Sequence, residues 1–197
     1  RVGPYTLGEV LGRGSQATVY RARDDDGEPV AVKVRRRGMA SQDRRFLREF
    51  ESMRTLRLPG VVRVYEAGIQ GELLWFSMEV VWGRDVLEVI HDEETLEGRV
   101  EAAVELGTRL FEILDGIHRA GFVHRDVKPS NILVDRRGQL HVLDFGVVRL
   151  FADSDSLSQS GEILGTVPYM APEQLAALPF DHTVDLFAAG LILYEAI

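Results

Sequence analysis

The chain has 197 residues, 45% hydrophobic and 27% charged, with a net charge of −8, which is the balance of one globular domain or two small lobes. The acidic surplus argues against nucleic acid as the main partner, because a phosphate backbone needs a basic field, and the absence of cysteine excludes a disulfide framework and metal–thiolate sites. No apolar run approaches the about 20 residues that span a bilayer and no secretory leader opens the chain, so a cytoplasmic location is expected, with a membrane anchor outside these residues as the alternative.

Residues 5–11, 17–22 and 29–34 read as three strands, the last being Pro29-Val30-Ala31-Val32-Lys33-Val34, an apolar run with one lysine. Asp24-Asp25-Asp26-Gly27 is the turn before it. Between the first two strands lies Gly12-Arg13-Gly14-Ser15-Gln16-Ala17. A glycine-rich hairpin lets backbone N–H groups reach a phosphate with no side chain in the way, although such turns also serve as plain connectors. A strand follows it rather than a helix, so it is not a dinucleotide fingerprint.

Residues 42–57 read as a helix with Ser41 as N-cap and Phe46, Phe50, Met53 and Leu58 near helical spacing. Glu49 lies among Arg44, Arg45, Arg48 and Arg54 and by itself reads as an ion-pair partner on a charged face. Residues 61–66 and 73–81 are two more strands, separated by residues 68–71. Residues 99–120 form the clearest helix, with Val100, Val104, Gly107, Leu110, Leu114 and Ile117 along one face and Gly121 as its stop.

The stretch His124-Arg125-Asp126-Val127-Lys128-Pro129-Ser130-Asn131 comes next, closed by Asp144-Phe145-Gly146. Between them, Ile132-Leu133-Val134 and Leu140-His141-Val142-Leu143 flank Asp135-Arg136-Arg137-Gly138 and read as a β-hairpin. A hairpin returns the chain to its starting edge, so Asp126, Asn131 and Asp144 should meet at one mouth. Two acids, an amide and an ammonium suit a divalent cation and a phosphate. Of the 23 basic residues only Lys33 and Lys128 are lysine. A compact ammonium rather than a flat guanidinium therefore occurs only where phosphate chemistry is suspected. Residues 152–162 read as a polar loop, order returns at residues 165–173, and an apolar helix starts near Thr183.

In this order and spacing the glycine-rich hairpin, Lys33, Glu49, His-Arg-Asp-x-Lys-x-x-Asn, Asp-Phe-Gly and Ala-Pro-Glu (Ala171, Pro172, Glu173) resemble the eukaryotic-type serine/threonine protein kinases, and bacterial members in particular. The third glycine of the usual hairpin pattern is Ala17 here. The resemblance implies an α+β, two-lobed fold. Residues 1–80 would form an ATP-binding lobe of five antiparallel strands and one helix. Residues 81–197 would form a mainly helical lobe that is incomplete at Ile197, holding the catalytic loop, the activation segment and the start of the long central helix.

It also implies roles. Asp126 would take the proton of the acceptor hydroxyl and Lys128 would balance γ-phosphate charge. Asn131 and Asp144 would hold Mg²⁺, and Lys33, held by Glu49 rather than by Glu51, would fix the α/β-phosphates. Leu11, Gly12, Gly14, Val19, Ala31, Met78, Glu79, Val81 and Leu133 would surround the nucleotide, with Met78 as gatekeeper and the Glu79 carbonyl and Val81 amide facing adenine. His124 would be structural, stacked with Phe145, Met53 and Val64, while His91, His118, His141 and His182 read as surface or packing residues. Asp185 would hold the backbone of residues 124–126. Leu186, Phe187, Leu191, Leu193 and Tyr194 would be partly uncovered.

Arg125 implies an activation segment ordered by a phosphate, with Ser158 and Ser160 as the acceptors by position, ahead of Ser154 and Ser156. Thr166 would be a positioning residue. The expected partners are a protein with a serine or threonine acceptor and, for autophosphorylation, a second copy of the chain, with no nucleic acid and no membrane segment. Two competing readings are a nucleotide-binding pseudokinase-like scaffold or inactive fragment, and a small-molecule kinase of related fold. The filled catalytic positions weigh against the first, and residues 165–173 against the second.

Overall fold

A computed structural model describes residues 1–14, 17–144, 148–149 and 167–197. They form two compact units, one of Arg1–Arg57 with Val62–Val81 and the other of Leu58–Val61 with Trp82–Ile197.

The first unit is an antiparallel sheet in the order β1-β2-β3-β5-β4, made of β1 (Thr6–Arg13), β2 (Thr18–Arg23), β3 (Pro29–Arg36), β4 (Val64–Gln70) and β5 (Leu73–Met78). Strand alternation gives its two faces different work. Val30, Val32, Val34 and Trp75 pack with Val2, Tyr5 and Ala22 in a dry core. Tyr5 meets Trp75 edge-on at 5.6 Å. Its hydroxyl donates to Glu66 Oε1 and accepts from Ser77 Oγ, both at 2.8 Å, and burial pushes its pKa up to about 12. The opposite face carries Ala31, Lys33 and Arg35 on β3, in register with Met78, Phe76 and Leu74 on β5.

Helix α1 (Ala40–Thr55) covers that second face with Phe46, Phe50 and Met53. Phe46 and Phe50 lie 5.0 and 5.9 Å from the Phe76 ring. Its N-cap is Met39, with no side-chain cap, so Ser41 is a first-turn residue rather than the expected cap. Gly68 is not in the β4–β5 connection either. It lies inside β4, paired with Trp75, where a Cβ would stand 2.5 Å from the indole ring. The glycine is a seat for the ring, and Gly71, at φ +58, makes the turn.

The second unit opens with β6 (Gly83–Asp85) and α2 (Val86–His91), whose N-cap Asp85 accepts from Glu88 N. Neither element is evident in the sequence pattern. Helix α3 (Leu96–Arg119) begins three residues before its expected start, capped by Thr95, whose Oγ1 accepts from Gly98 N at 3.0 Å. Its buried stripe is Ala103, Leu106, Gly107, Leu110, Leu114 and Ile117. Val100 and Val104 are exposed instead, because at 3.6 residues per turn Val104 falls about a third of a turn from Leu110.

Strand β7 (Phe122–Val123) pairs with β10 (Val148–Arg149), and β8 (Ile132–Asp135) with β9 (Leu140–Val142), the anticipated hairpin. Short helix α4 (Pro172–Leu175) and helix α5 (Thr183–Ala196) follow. Leu193 of α5 packs on Gly107 of α3, where a Cβ would come within 2.9 Å. Leu186, Phe187 and Tyr194 are exposed and Leu191 and Leu193 half-buried, so all five are at least partly uncovered, as expected. Among the described residues no helix is long and apolar enough to cross a membrane.

Gly60 fixes the start of this unit. Its carbonyl accepts from Val142 N at 2.7 Å, its φ is +77, and a Cβ would lie 2.3 Å from Ile113 Cδ1. Gly60→Ala is expected to cost about 2 kcal/mol through left-handed strain and overpacking. A denaturant titration that found unchanged stability would contradict this account.

Candidate active site

The two lysines are each held by a carboxylate. In the first unit, cross-strand pairing sets Lys33 beside Val19 on one side and Phe76 on the other. Its Nζ meets Glu49 Oε1 at 2.7 Å and stands 5.7 Å from the centroid of the Phe76 ring. Glu49 is the residue of α1 that faces the sheet from between Phe46 and Phe50. Glu51 is exposed, which decides between the two candidates. Ala31 and Met78, buried and directly paired across β3 and β5, lie along the same face. Glu79 and Val81 are half-buried just past β5, where Glu79 N donates to Arg63 O at 2.8 Å.

In the glycine-rich hairpin, Gly12 pairs with Val19, and Gly14 N donates to Ala17 O at 2.9 Å, closing the tip. That N–H is thus engaged in the turn. Leu11, Gly12 and Gly14 are exposed and Val19 half-buried. Ser15 and Gln16 lie outside the described residues.

In the second unit the catalytic-loop candidates converge. Asp126 Oδ2 lies 2.7 Å from Lys128 Nζ and accepts from Asn131 Nδ2 at 3.0 Å. The same Nδ2 donates to the Asp126 carbonyl at 2.8 Å. Both amide hydrogens therefore point at oxygen acceptors, which assigns the orientation of the amide and leaves Oδ1 as the atom that can meet a cation. Leu143 N donates to Asn131 O at 2.8 Å, so the returning hairpin strand delivers Asp144 next to Asn131. Leu133 is half-buried on β8, opposite Asp85 of β6 and His141 of β9.

Among the described residues no cluster of three or more His, Asp or Glu could hold a metal. An amide oxygen and one carboxylate form a sparse, hard-oxygen set. Such a set suits Mg²⁺, which keeps waters and takes phosphate oxygens rather than a full protein cage.

Two residues of this loop depart from ordinary backbone geometry: Arg125 at φ +68 and Asp144 at φ +40. Left-handed non-glycine residues cost about 1–3 kcal/mol each and persist where their surroundings hold them. Asp185, buried on α5, supplies that hold at Arg125. Its Oδ1 accepts from Arg125 N at 2.8 Å and its Oδ2 from His124 N at 2.7 Å. His118 Nε2, at 2.8 Å, is a third donor to the same carboxylate. His118 is thus a polar partner rather than mere packing, a role for which the sequence offers only its place in the last turn before the catalytic loop.

His124 is fully buried, with Nε2 on the Leu143 carbonyl at 2.9 Å. Met53 and Val64 are buried as well, and Phe145, the fourth member of the expected stack, lies outside the described residues. The Arg125 guanidinium lies 4.8 Å over the Phe180 ring, and its burial lowers its pKa against the opposing pull of Asp185. Gly146, Ser154, Ser156, Ser158, Ser160 and Thr166 also lie outside the described residues.

A family model of the protein kinase domain matches residues 5–197. The chain belongs to the protein kinase domain family. The chain is 39% identical to a probable serine/threonine-protein kinase of Streptomyces coelicolor, over 98% of this chain and 30% of that protein. It is 37% identical to the serine/threonine-protein kinase PkaA of the same organism, over 98% and 38%. To the serine/threonine-protein kinase PknB of Mycobacterium tuberculosis it is 35% identical, over 98% and 32%. The chain thus spans about a third of the length of these relatives. The bacterial character expected from its motifs agrees with them, and the antiparallel sheet with its single helix and the helical second unit agree with a kinase domain.

Proposed function

We propose that this kinase domain transfers the γ-phosphate of Mg-ATP to serine or threonine hydroxyls of protein substrates, in the cytoplasm where ATP is held. Residues 1–80 would act as the nucleotide-binding lobe and residues 81–197 as the catalytic lobe. One observation carries the reading: Asp126 Oδ2 lies between Lys128 Nζ and Asn131 Nδ2, a carboxylate aimed by an amide and set beside an ammonium.

Phosphoryl transfer asks the protein for positioning and charge balance rather than covalent chemistry. Asp126 would orient the acceptor hydroxyl and take its proton. Lys128 would balance charge on the γ-phosphoryl group, and Lys33, held by Glu49, would fix the α/β-phosphates. Asn131 Oδ1 and the Asp144 carboxylate would hold the magnesium ion, whose chemistry there is to neutralise phosphate charge. Leu11, Val19, Ala31, Met78 and Leu133 would supply apolar walls for the base, Gly12 and Gly14 room for the phosphates, and Glu79 O and Val81 N the edge contacts to adenine.

The test is transfer of labelled γ-phosphate to a generic protein, with and without Mg²⁺. Transfer that requires the ion is expected, and no transfer in its presence would overturn the reading. The same incubation tests autophosphorylation. Mass spectrometry should find phosphate on Ser158 or Ser160, and an unmodified segment in an active enzyme would remove them.

A further inference from the structure

Lys33–Glu49 is not the only polar link between β3 and α1. Two residues further along the same face of β3 stands Arg35, whose side chain is only 5% exposed. Its guanidinium is spent on the first turn of α1. One terminal nitrogen donates to the Gln42 carbonyl at 2.8 Å and the other to Gln42 Oε1 at 3.1 Å, while Nε donates to the Arg36 carbonyl at 3.1 Å. Asp43 approaches the same fork at 3.5 Å. Asp43 also accepts from Gly38 N at 3.1 Å and faces Arg37 at 3.7 Å.

A helix start normally relies on a side-chain cap at its first residue, and α1 has none at Met39. Arg35, from the strand, and Asp43, in the first turn itself, anchor that start to β3 without capping its N–H groups. Gln42 and Glu49 are seven residues apart, two helical turns on one face. The helix is therefore pinned to β3 at two points, and the ring contacts of Phe46 and Phe50 with Phe76 between them are apolar. An apolar contact tolerates sliding, but a guanidinium fork does not.

We propose that Arg35 is a positioning residue: by fixing the first turn of α1 it sets the register that keeps the Glu49 carboxylate on Lys33. The proposal rests on the reading of Lys33 and Glu49 as the phosphate-holding pair. Removing the fork would let α1 shift and populate states in which the ion pair is broken, lowering activity without touching any residue that meets nucleotide.

The experiment is a double-mutant cycle on phosphoryl transfer, with Arg35→Met, Glu49→Gln and the pair. Arg35→Met is expected to lower kcat/KM for ATP by about tenfold, and by less than about twofold when Glu49 is already Gln, because the two act through one contact. Equal losses in both backgrounds would mean general destabilisation and overturn the proposal. Arg35→Lys, which keeps the charge without the fork, should fall between wild type and Arg35→Met. Gln42→Ala should cost about threefold through the same cycle. These two milder variants carry the cycle if Arg35→Met does not fold.

Hydrogen exchange without nucleotide gives a second readout. Amides of residues 40–55 should exchange about tenfold faster in Arg35→Met and Gln42→Ala, with β3 and β5 unchanged. Unchanged protection of α1 overturns the proposal even if wild type shows no transfer, whereas faster exchange beside an inactive wild type would uphold the pinning of α1 and fault only the proposed activity.

Discussion

Asp126→Asn is expected to lower the turnover of phosphoryl transfer by about a thousandfold, within the range that a positioned general base contributes, while the KM for ATP moves little. The substitution keeps the shape of the side chain and removes its charge and one acceptor oxygen. Asn131 Nδ2, now 3.0 Å from Oδ2, can keep an oxygen partner by a turn of the new amide. Lys128, 2.7 Å away, loses its counter-charge and the acceptor hydroxyl loses its base. Both losses fall on the transfer step rather than on the ground state, so kcat and kcat/KM should drop together. A variant with near-wild-type turnover in steady-state assays would remove Asp126 from the role.

Asp185→Ala is expected to lower stability by about 3 kcal/mol or more, since it strands buried donors that now share one carboxylate. Those donors are His124 N, Arg125 N and His118 Nε2. The loss has a second consequence, because Arg125 holds φ +68 and its backbone N–H is tied to Asp185. Freed, the residue before Asp126 can relax toward ordinary backbone and carry the Asp126 carboxylate with it. Activity should therefore fall further than the folded fraction does. Asp185→Asn keeps one acceptor oxygen and should lie between. Denaturant titration beside activity per folded molecule checks the order wild type, Asn, Ala, and equal stability of all three would discard the account.

Much of the site was legible because the residues that carry it follow from chain geometry. Once Ile132–Asp135 and Leu140–Val142 form a hairpin, Asp144 must come back to Asn131. Lys33 stands out as one of two lysines, whereas the choice of Glu49 over Glu51 comes from the family resemblance, and the Lys33–Glu49 contact at 2.7 Å agrees with it. Asp185 was legible only through the family resemblance, since nothing local distinguishes it from a helix-start acid.

The misreadings share a different cause. Ser41 has the chemistry of a cap, but Arg35 anchors the helix start from β3, and such a tertiary partner leaves no mark on the local sequence. Gly68 looks like a turn and is a seat for Trp75, a residue seven positions away across the strand pair. Val100 and Val104 continue an apolar count but leave the stripe, because the counting ignored the angle between successive turns. His118 has no spacing signal at all, and its partner lies 67 residues later.

The near-exclusive use of arginine has a practical corollary. Only two side-chain amines exist in the chain, and each is clasped by an acid and largely shielded, at 13% and 23% exposure. Amine-selective acylation should thus act as a footprint of these two positions with almost no background. Occupancy by nucleotide would appear as slowed labelling at Lys33, and a loosened α1 as faster labelling there, read directly from peptide masses and independent of whether any phosphate is transferred.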